Sequence, residues 1–205
     1  MIDHLVYATT DLDASVRDIG EQLGVTPEPG GQHVGHGTRN YLLGLGGSSY
    51  LELIGPDPEQ PDFAGIRTMG LDTLLRPQLS AWAVRVTDIE TAVETARAQG
   101  YDPGPVRSMS RRQPNDQLLS WRLTDIPGDT APILLPFLID WGDSPHPSQT
   151  APVGAQLVSF SVESPDAKTV RAALVTLGVH VAVAEAEYPR LTALIQGPRG
   201  TLRLD

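Results

Sequence analysis

The chain has 205 residues, 40% of them hydrophobic, enough for one ordinary domain or two small ones with a sizeable core. Its 15 basic against 25 acidic residues give a net charge of -10, which repels nucleic acid and anionic membrane surfaces. Cysteine is absent, so disulfides, thiolate nucleophiles and thiolate metal sites are excluded, and any metal must be held by nitrogen and oxygen.

The opening "MIDHLVYA" runs straight into an alternating strand pattern over 3–8, without the basic and apolar regions of a signal peptide. No apolar run approaches the roughly 20 residues of a membrane-spanning helix, so a cytoplasmic protein is the expectation. Leu12, Val16, Ile19 and Leu23 then fall on one helical face, with Asp11 as N-cap and Gly24 as the stop. "HVGHGTRN" (33–40) reads as a glycine-rich loop, and "NYLLGL" and "SYLELIG" as strands. A Pro- and Gly-rich linker covers 55–78.

The pattern then repeats. "AWAVRV" (81–86) is strand-like, and Asp88 caps a helix with Ile89, Val93 and Ala96 on its stripe and Gly100 at its end. "YDPGPVRSMSRRQPND" (101–116) reads as a long loop or irregular edge with Arg107, Arg111 and Arg112 solvated. The strands "QLLSWRL" and "ILLPFLIDW" follow, and then a second linker over 142–154. A third copy opens with "LVSFSV" (157–162) and continues into a helix capped by Ser164, with Pro165 at its first position and Gly178 after it. Two strands, "RLTALIQ" and "TLRLD", close it. The three stopping glycines are separated by 76 and 78 residues, which marks an internal repeat.

These boundaries predict an α+β chain of strand–helix–strand–strand–strand (βαβββ) modules: residues 1–58, 79–141 and 155–205. One such sheet leaves a face uncovered, so the first two modules are expected to pair, with the third as a related unit. An open sheet edge there makes a homodimer a further expectation.

A repeated module that opens with "DHLV" and closes with "YLELI" resembles the vicinal oxygen chelate superfamily. More narrowly, residues 30–58 together with "LPFLIDW" and "HP" (146–147) resemble the glyoxalase-like domain proteins. That resemblance implies paired modules in an open, cupped β-barrel around a pocket for a small molecule with adjacent oxygens, worked on by lyase or isomerase chemistry. It also implies a divalent metal held by His and Glu on the first and last strands of each module, here His4 and Glu52. Alignment places Trp82 opposite His4, and Leu138 or Ile139 opposite Glu52, so only half of that ligand set is present; a metal-free His4/Glu52 acid–base pair is the other expectation. The superfamily also contains metal-free sequestering proteins, so a small-molecule binder is the alternative function.

Further candidates for substrate contact are His33 and Asn40 in the 33–40 segment, Tyr50, Trp82, Arg85 and His146. Arg85 is expected either to clamp a carboxylate or to pair with Glu52.

Overall fold

A computed structural model describes residues 1–125 and 132–205. The first module is β1 (Ile2–Ala8), α1 (Leu12–Leu23), β2 (Glu28–His33), β3 (Thr38–Gly44) and β4 (Tyr50–Pro56). The second is β5 (Gln78–Arg85), α2 (Ile89–Ala98), β6 (Val106–Arg112), β7 (Leu118–Thr124) and β8 (Phe137–Asp140). Local chemistry starts these helices where the sequence predicts. The Asp11 carboxylate accepts from the Ala14 amide at 3.0 Å and Asp88 from the Thr91 amide at 3.0 Å, each satisfying an otherwise orphaned N–H. In the third copy the cap is Asp166, not Ser164: Asp166 accepts from the Thr169 amide, and α3 runs Ala167–Thr176.

The eight strands of the first two modules hydrogen-bond into a closed barrel in the order β1-β4-β3-β2-β6-β7-β8-β5. The order carries its own twofold logic, because in each module the first strand lies parallel to the last, β1 with β4 and β5 with β8. Two antiparallel seams join the halves. The β1–β5 seam is long, whereas β2 and β6 meet only at Gln32 opposite Arg112. The 101–116 segment is therefore not a loop: its central residues form β6, a wall of the barrel.

Gly31 allows the narrow seam to close. Its φ of 137° is one that side chains rarely adopt, and a Cβ there would run into the Arg112 carbonyl. Gly31→Ala is expected to cost about 1–3 kcal/mol in urea unfolding. Gly35→Ala, at a turn where nothing stands in the way, is the control; equal losses at the two positions would mean that the seam is not what Gly31 protects.

Side-chain alternation separates two cores. Outward residues Leu5, Leu43, Leu51, Leu53, Leu79, Trp82, Val84 and Leu138 pack under Leu12, Ile19 and Leu23 of α1 and Ile89 and Val93 of α2. Inward residues Val6, Ala8, Leu42, Tyr50, Ile54, Ala81, Ala83, Leu119, Trp121, Leu123, Phe137 and Ile139 line the barrel.

The remaining strands, β9 (Gln156–Ser164), β10 (Ala182–Glu185), β11 (Arg190–Gly197) and β12 (Gly200–Leu204), form a separate sheet ordered β10-β9-β11-β12. Its element order repeats the module. Its first strand, however, lies parallel to the strand just after the helix rather than to the last one. Phe160, Val162, Leu191, Ala193, Ile195, Leu202 and Leu204 join the outer core, so this sheet covers apolar surface on the outside of the barrel and leaves the interior free. Among the described residues no helix is long and apolar enough to cross a membrane.

Candidate functional site

The barrel interior holds a small cavity. Polar groups of the first module, His4, His33, Thr38, Asn40, Tyr50 and Glu52, line one side of it. Apolar groups of the second module, Met109, Trp121, Leu123, Phe137 and Ile139, line the other.

Glu52 is the centre of the polar side. It is 8% exposed, on an inward position of β4. One carboxylate oxygen accepts from the Asn40 side-chain amide and lies 3.7 Å from His33 Nε2, and the other lies 3.5 Å from His4 Nε2. Burial alone would push its pKa up. The charges of His4 and His33, the Asn40 hydrogen bond and the Arg111 charge outweigh that penalty and hold the carboxyl below its ordinary range.

His4 is fixed from behind. Its Nδ1 donates to Asp3 Oδ1 at 2.7 Å, and its ring stacks on Tyr50 with centroids 4.7 Å apart. Asp3 is wholly buried, and its other oxygen accepts from His146 Nε2 at 2.8 Å, Arg85 Nε at 3.0 Å and Trp141 Nε1 at 3.2 Å. Burial would raise the Asp3 pKa, but the His146 and His4 hydrogen bonds overcome it and keep the carboxyl well below its usual range. An ionised Asp3 only accepts, so the proton of His4 sits on Nδ1 and Nε2 faces the cavity and Glu52. Tyr50 is driven far above the usual phenol range, first by burial and then by the Asp3 and Glu52 charges, and stays protonated.

The 33–40 segment is a hairpin end rather than a surface loop. His33 closes β2, Thr38 opens β3 directly opposite it, and both are buried, with His33 Nδ1 2.9 Å from Thr38 Oγ1. The His33 pKa is lowered to about 4, first by burial; Glu52 pulls it back up and Arg111 pushes it further down. His33 is therefore neutral near pH 7. Between its ordinary value of 6.5 and about 4 the unfolded chain binds a proton that the folded chain refuses, so stability falls as pH falls through that window. The loss is at most about 3.5 kcal/mol, at about 1.4 kcal/mol per pH unit. His33→Gln is expected to flatten the stability curve in this window, while the loss at lower pH from protonating Asp3 and Glu52 persists in both proteins. An unchanged slope in urea unfolding would mean that His33 is not the responsible group.

Three sequence-predicted contacts lie elsewhere. Trp82 faces the outer core, where its indole N–H donates to the Leu134 carbonyl at 2.9 Å and its ring packs edge-on against Phe160. The reason is register: His4 pairs with Tyr50 and Ala83 with Phe137, so the counterpart of His4 is Ala83, and a shift of one residue puts Trp82 on the opposite face. The same pairing makes Ile139 the counterpart of Glu52. Arg85 pairs with Asp3 and not with Glu52, and donates to the Ser48 carbonyl at 2.7 Å. His146 stands behind the cavity on Asp3, edge-on to Tyr50.

Two residues the sequence reading did not select matter most. Asp3 orients His4; its only signal was an acid beside a histidine in an otherwise apolar strand. Arg111, read as solvated, is 3% exposed and lines the cavity, its Nη1 donating to Asn40 Oδ1 at 3.2 Å.

The donors do not suit a resident metal. Among the described residues no group of three or more His, Asp or Glu side chains is arranged to hold one. His4 and Glu52 would supply two ligands, but their second-module counterparts, Ala83 and Ile139, supply none, and one Glu52 oxygen is already engaged by Asn40.

Residues 2–178 match the family model of the glyoxalase-like domain. No significant match is found among curated proteins. Among solved structures, a hypothetical protein from Staphylococcus aureus is similar at 14% identity and a TM-score of 0.70, over 100% of this chain and 98% of its own. A methylmalonyl-CoA epimerase from Mycobacterium tuberculosis is similar at 22% identity and a TM-score of 0.43, over 70% of this chain and 88% of its own. The Streptomyces coelicolor methylmalonyl-CoA epimerase, in complex with 2-nitronate-propionyl-CoA, gives 23% identity and a TM-score of 0.46, over 70% and 97%. With a family match across most of its length and paired modules closing around one cavity, the chain belongs to the glyoxalase-like domain family of the vicinal oxygen chelate superfamily.

Proposed function

We propose that the protein is an isomerase- or lyase-type catalyst that moves a proton on a small molecule with adjacent oxygens, using Glu52 and His4 as its acid–base pair and no resident metal. One arrangement carries this reading: a buried, ionised carboxylate 3.5 Å from an imidazole nitrogen whose other nitrogen is tied to Asp3. A structural carboxylate would be expected to have its partners in direct hydrogen bonds. Here the His4 nitrogen stands beyond direct hydrogen-bond reach, which leaves room for a substrate atom or one water between the two groups, and both line the cavity.

In the reaction, Glu52 removes the proton from the carbon next to a substrate carbonyl. The C–H electron pair becomes a carbon–carbon double bond and the carbonyl pair moves onto oxygen as an enolate. Return of the proton to the neighbouring atom, from Glu52 or through His4 Nε2, completes an isomerisation; loss of a group from the enolate completes a lyase reaction. Tyr50 keeps its proton and stacks on His4, holding the imidazole in plane.

A binding protein without turnover is the second reading, favoured by the apolar wall of Met109, Trp121, Phe137 and Ile139, which suits retention of a ligand. Exchange of substrate C–H for deuterium separates the two. α-Dicarbonyls, α-keto acids and α-hydroxy carbonyls are incubated with chelator-treated protein in heavy water and followed by proton NMR. Catalysed exchange is expected for at least one class. Exchange that appears only after a divalent metal is added would overturn the metal-free mechanism, and none under either condition would leave the binder.

A further inference from the structure

Arg111 is a strongly charged cavity residue that the acid–base pair leaves unused. It sits on β6, an inward residue of the second module, and is almost wholly buried. Of its five N–H donors, Nη1 reaches Asn40 Oδ1 at 3.2 Å, while Nε is buried with no partner among the described residues. Glu52, the nearby carboxylate, has its oxygens turned to Asn40, His4 and His33. Asn40 thus stands between them, accepting from Arg111 and donating to Glu52. The backbone makes room for this: a Cβ on Gly30 would collide with the Asn40 amide oxygen and the Arg111 guanidinium. A buried guanidinium whose Nε has no partner among the described residues is costly to the free protein, and an anion that enters the cavity offsets that cost.

We propose that Arg111 binds the substrate, and that the substrate is a monocarboxylate with an oxygen on the adjacent carbon and an apolar remainder, such as an α-keto acid. The chemistry of the fork supports this assignment. Two parallel N–H groups can grip one carboxylate oxygen and the neighbouring carbonyl oxygen together, taking the place of a divalent cation that would chelate vicinal oxygens. The cavity offers one guanidinium fork, and a second substrate carboxylate would meet Glu52 or the apolar wall instead of a cation, which disfavours dicarboxylates. The remainder of the substrate lies against Met109, Trp121, Phe137 and Ile139. The role in turnover rests on the proton-transfer reading above: the enolate oxygen forms beside the guanidinium while the C–H proton passes to Glu52, and no oxidant or further reactant is consumed. Substrate charge also offsets one of the charges that hold the Glu52 carboxyl low, so binding strengthens the base.

The test is titration of the α-keto acid of leucine, its methyl ester and α-ketoglutarate into native, Arg111→Met and Arg111→Lys proteins by calorimetry. The native protein is expected to bind the keto acid, and to bind the ester and the dicarboxylate roughly 30-fold or more weakly, the worth of charge-assisted hydrogen bonds. Arg111→Met is expected to lose roughly 30-fold or more for the acid alone. Arg111→Lys keeps the charge without the fork and is expected to fall in between; it provides the answer if the Met variant does not fold. No binding of the keto acid by native protein, equal binding of acid and ester, or unchanged affinity in the variants would overturn the proposal. Arg111-dependent binding without deuterium exchange would leave this assignment standing and remove only the catalytic reading. Exchange indifferent to Arg111 would do the reverse.

Discussion

Replacing Asp3 with alanine is expected to destabilise the protein by about 3–5 kcal/mol, the range for removing one partner from a buried charge network. Asp3 accepts hydrogen bonds from His4, Arg85, Trp141 and His146, which come from β1, the end of β5, the end of β8 and the linker beyond. One carboxylate therefore ties the first strand to β5, its partner in the long seam, and to the end of β8 beside it. Its loss strands a half-buried guanidinium and leaves two imidazoles and an indole without their acceptor, and water has little access to replace it. In thermal unfolding the fall is roughly 10 °C for a chain of this size. Asp3→Asn keeps the volume but turns an amide N–H₂ toward donors, so it is expected to lose nearly as much. A loss below about 1 kcal/mol, typical of exposed ion pairs, would show that these bonds do not hold the barrel together.

The parts of the fold that were legible in the sequence are those written locally. Helices α1 and α2 are set by an Asp cap, a stripe at helical spacing and a terminating turn, all within about 14 residues, and the module repeat follows from the spacing of those ends. Strand pairing is not local. The β1–β5 register slips between Ile2 and His4 and again between Val6 and Tyr7, irregularities that no alignment of the two modules by residue type can see, and a single step exchanges the two faces of a strand. Trp82 was placed in the cavity for that reason. The wiring of the third sheet is equally hidden, because parallel pairing of β9 with β10 and the first-with-last pairing of β1 with β4 use the same element order.

At the site, His4 and Glu52 were readable because a histidine and a glutamate in apolar strands have few cheap alternatives to facing each other. Arg111 was not, because prolines and polar residues around it suggested a loop. The usable signal was the alternation of Met109 and Arg111 against Ser108, Ser110 and Arg112, which puts an arginine on the same side as an apolar residue. His33 was masked by the glycines after it: they form the turn at 34–37, while His33 itself still belongs to a strand.

Glu52→Gln is expected to lower the deuterium-exchange rate by roughly 10²–10⁴, the usual worth of a positioned general base. The substitution is nearly isosteric. The Asn40 amide still finds a carbonyl oxygen to donate to, and the cavity keeps its shape. What is lost is the basic oxygen facing His4 and the negative charge beside Arg111, so the keto acid is expected to bind at least as tightly while exchange stops. His4→Gln leaves Glu52 in place but removes the nitrogen that shares its proton, and a comparable loss is expected. The decisive measurement is the double variant. Groups that act as one unit are not additive, so the pair together should be no slower than the worse single variant. If the two losses multiply instead, Glu52 and His4 serve separate steps and the 3.5 Å approach between them is packing rather than a proton path.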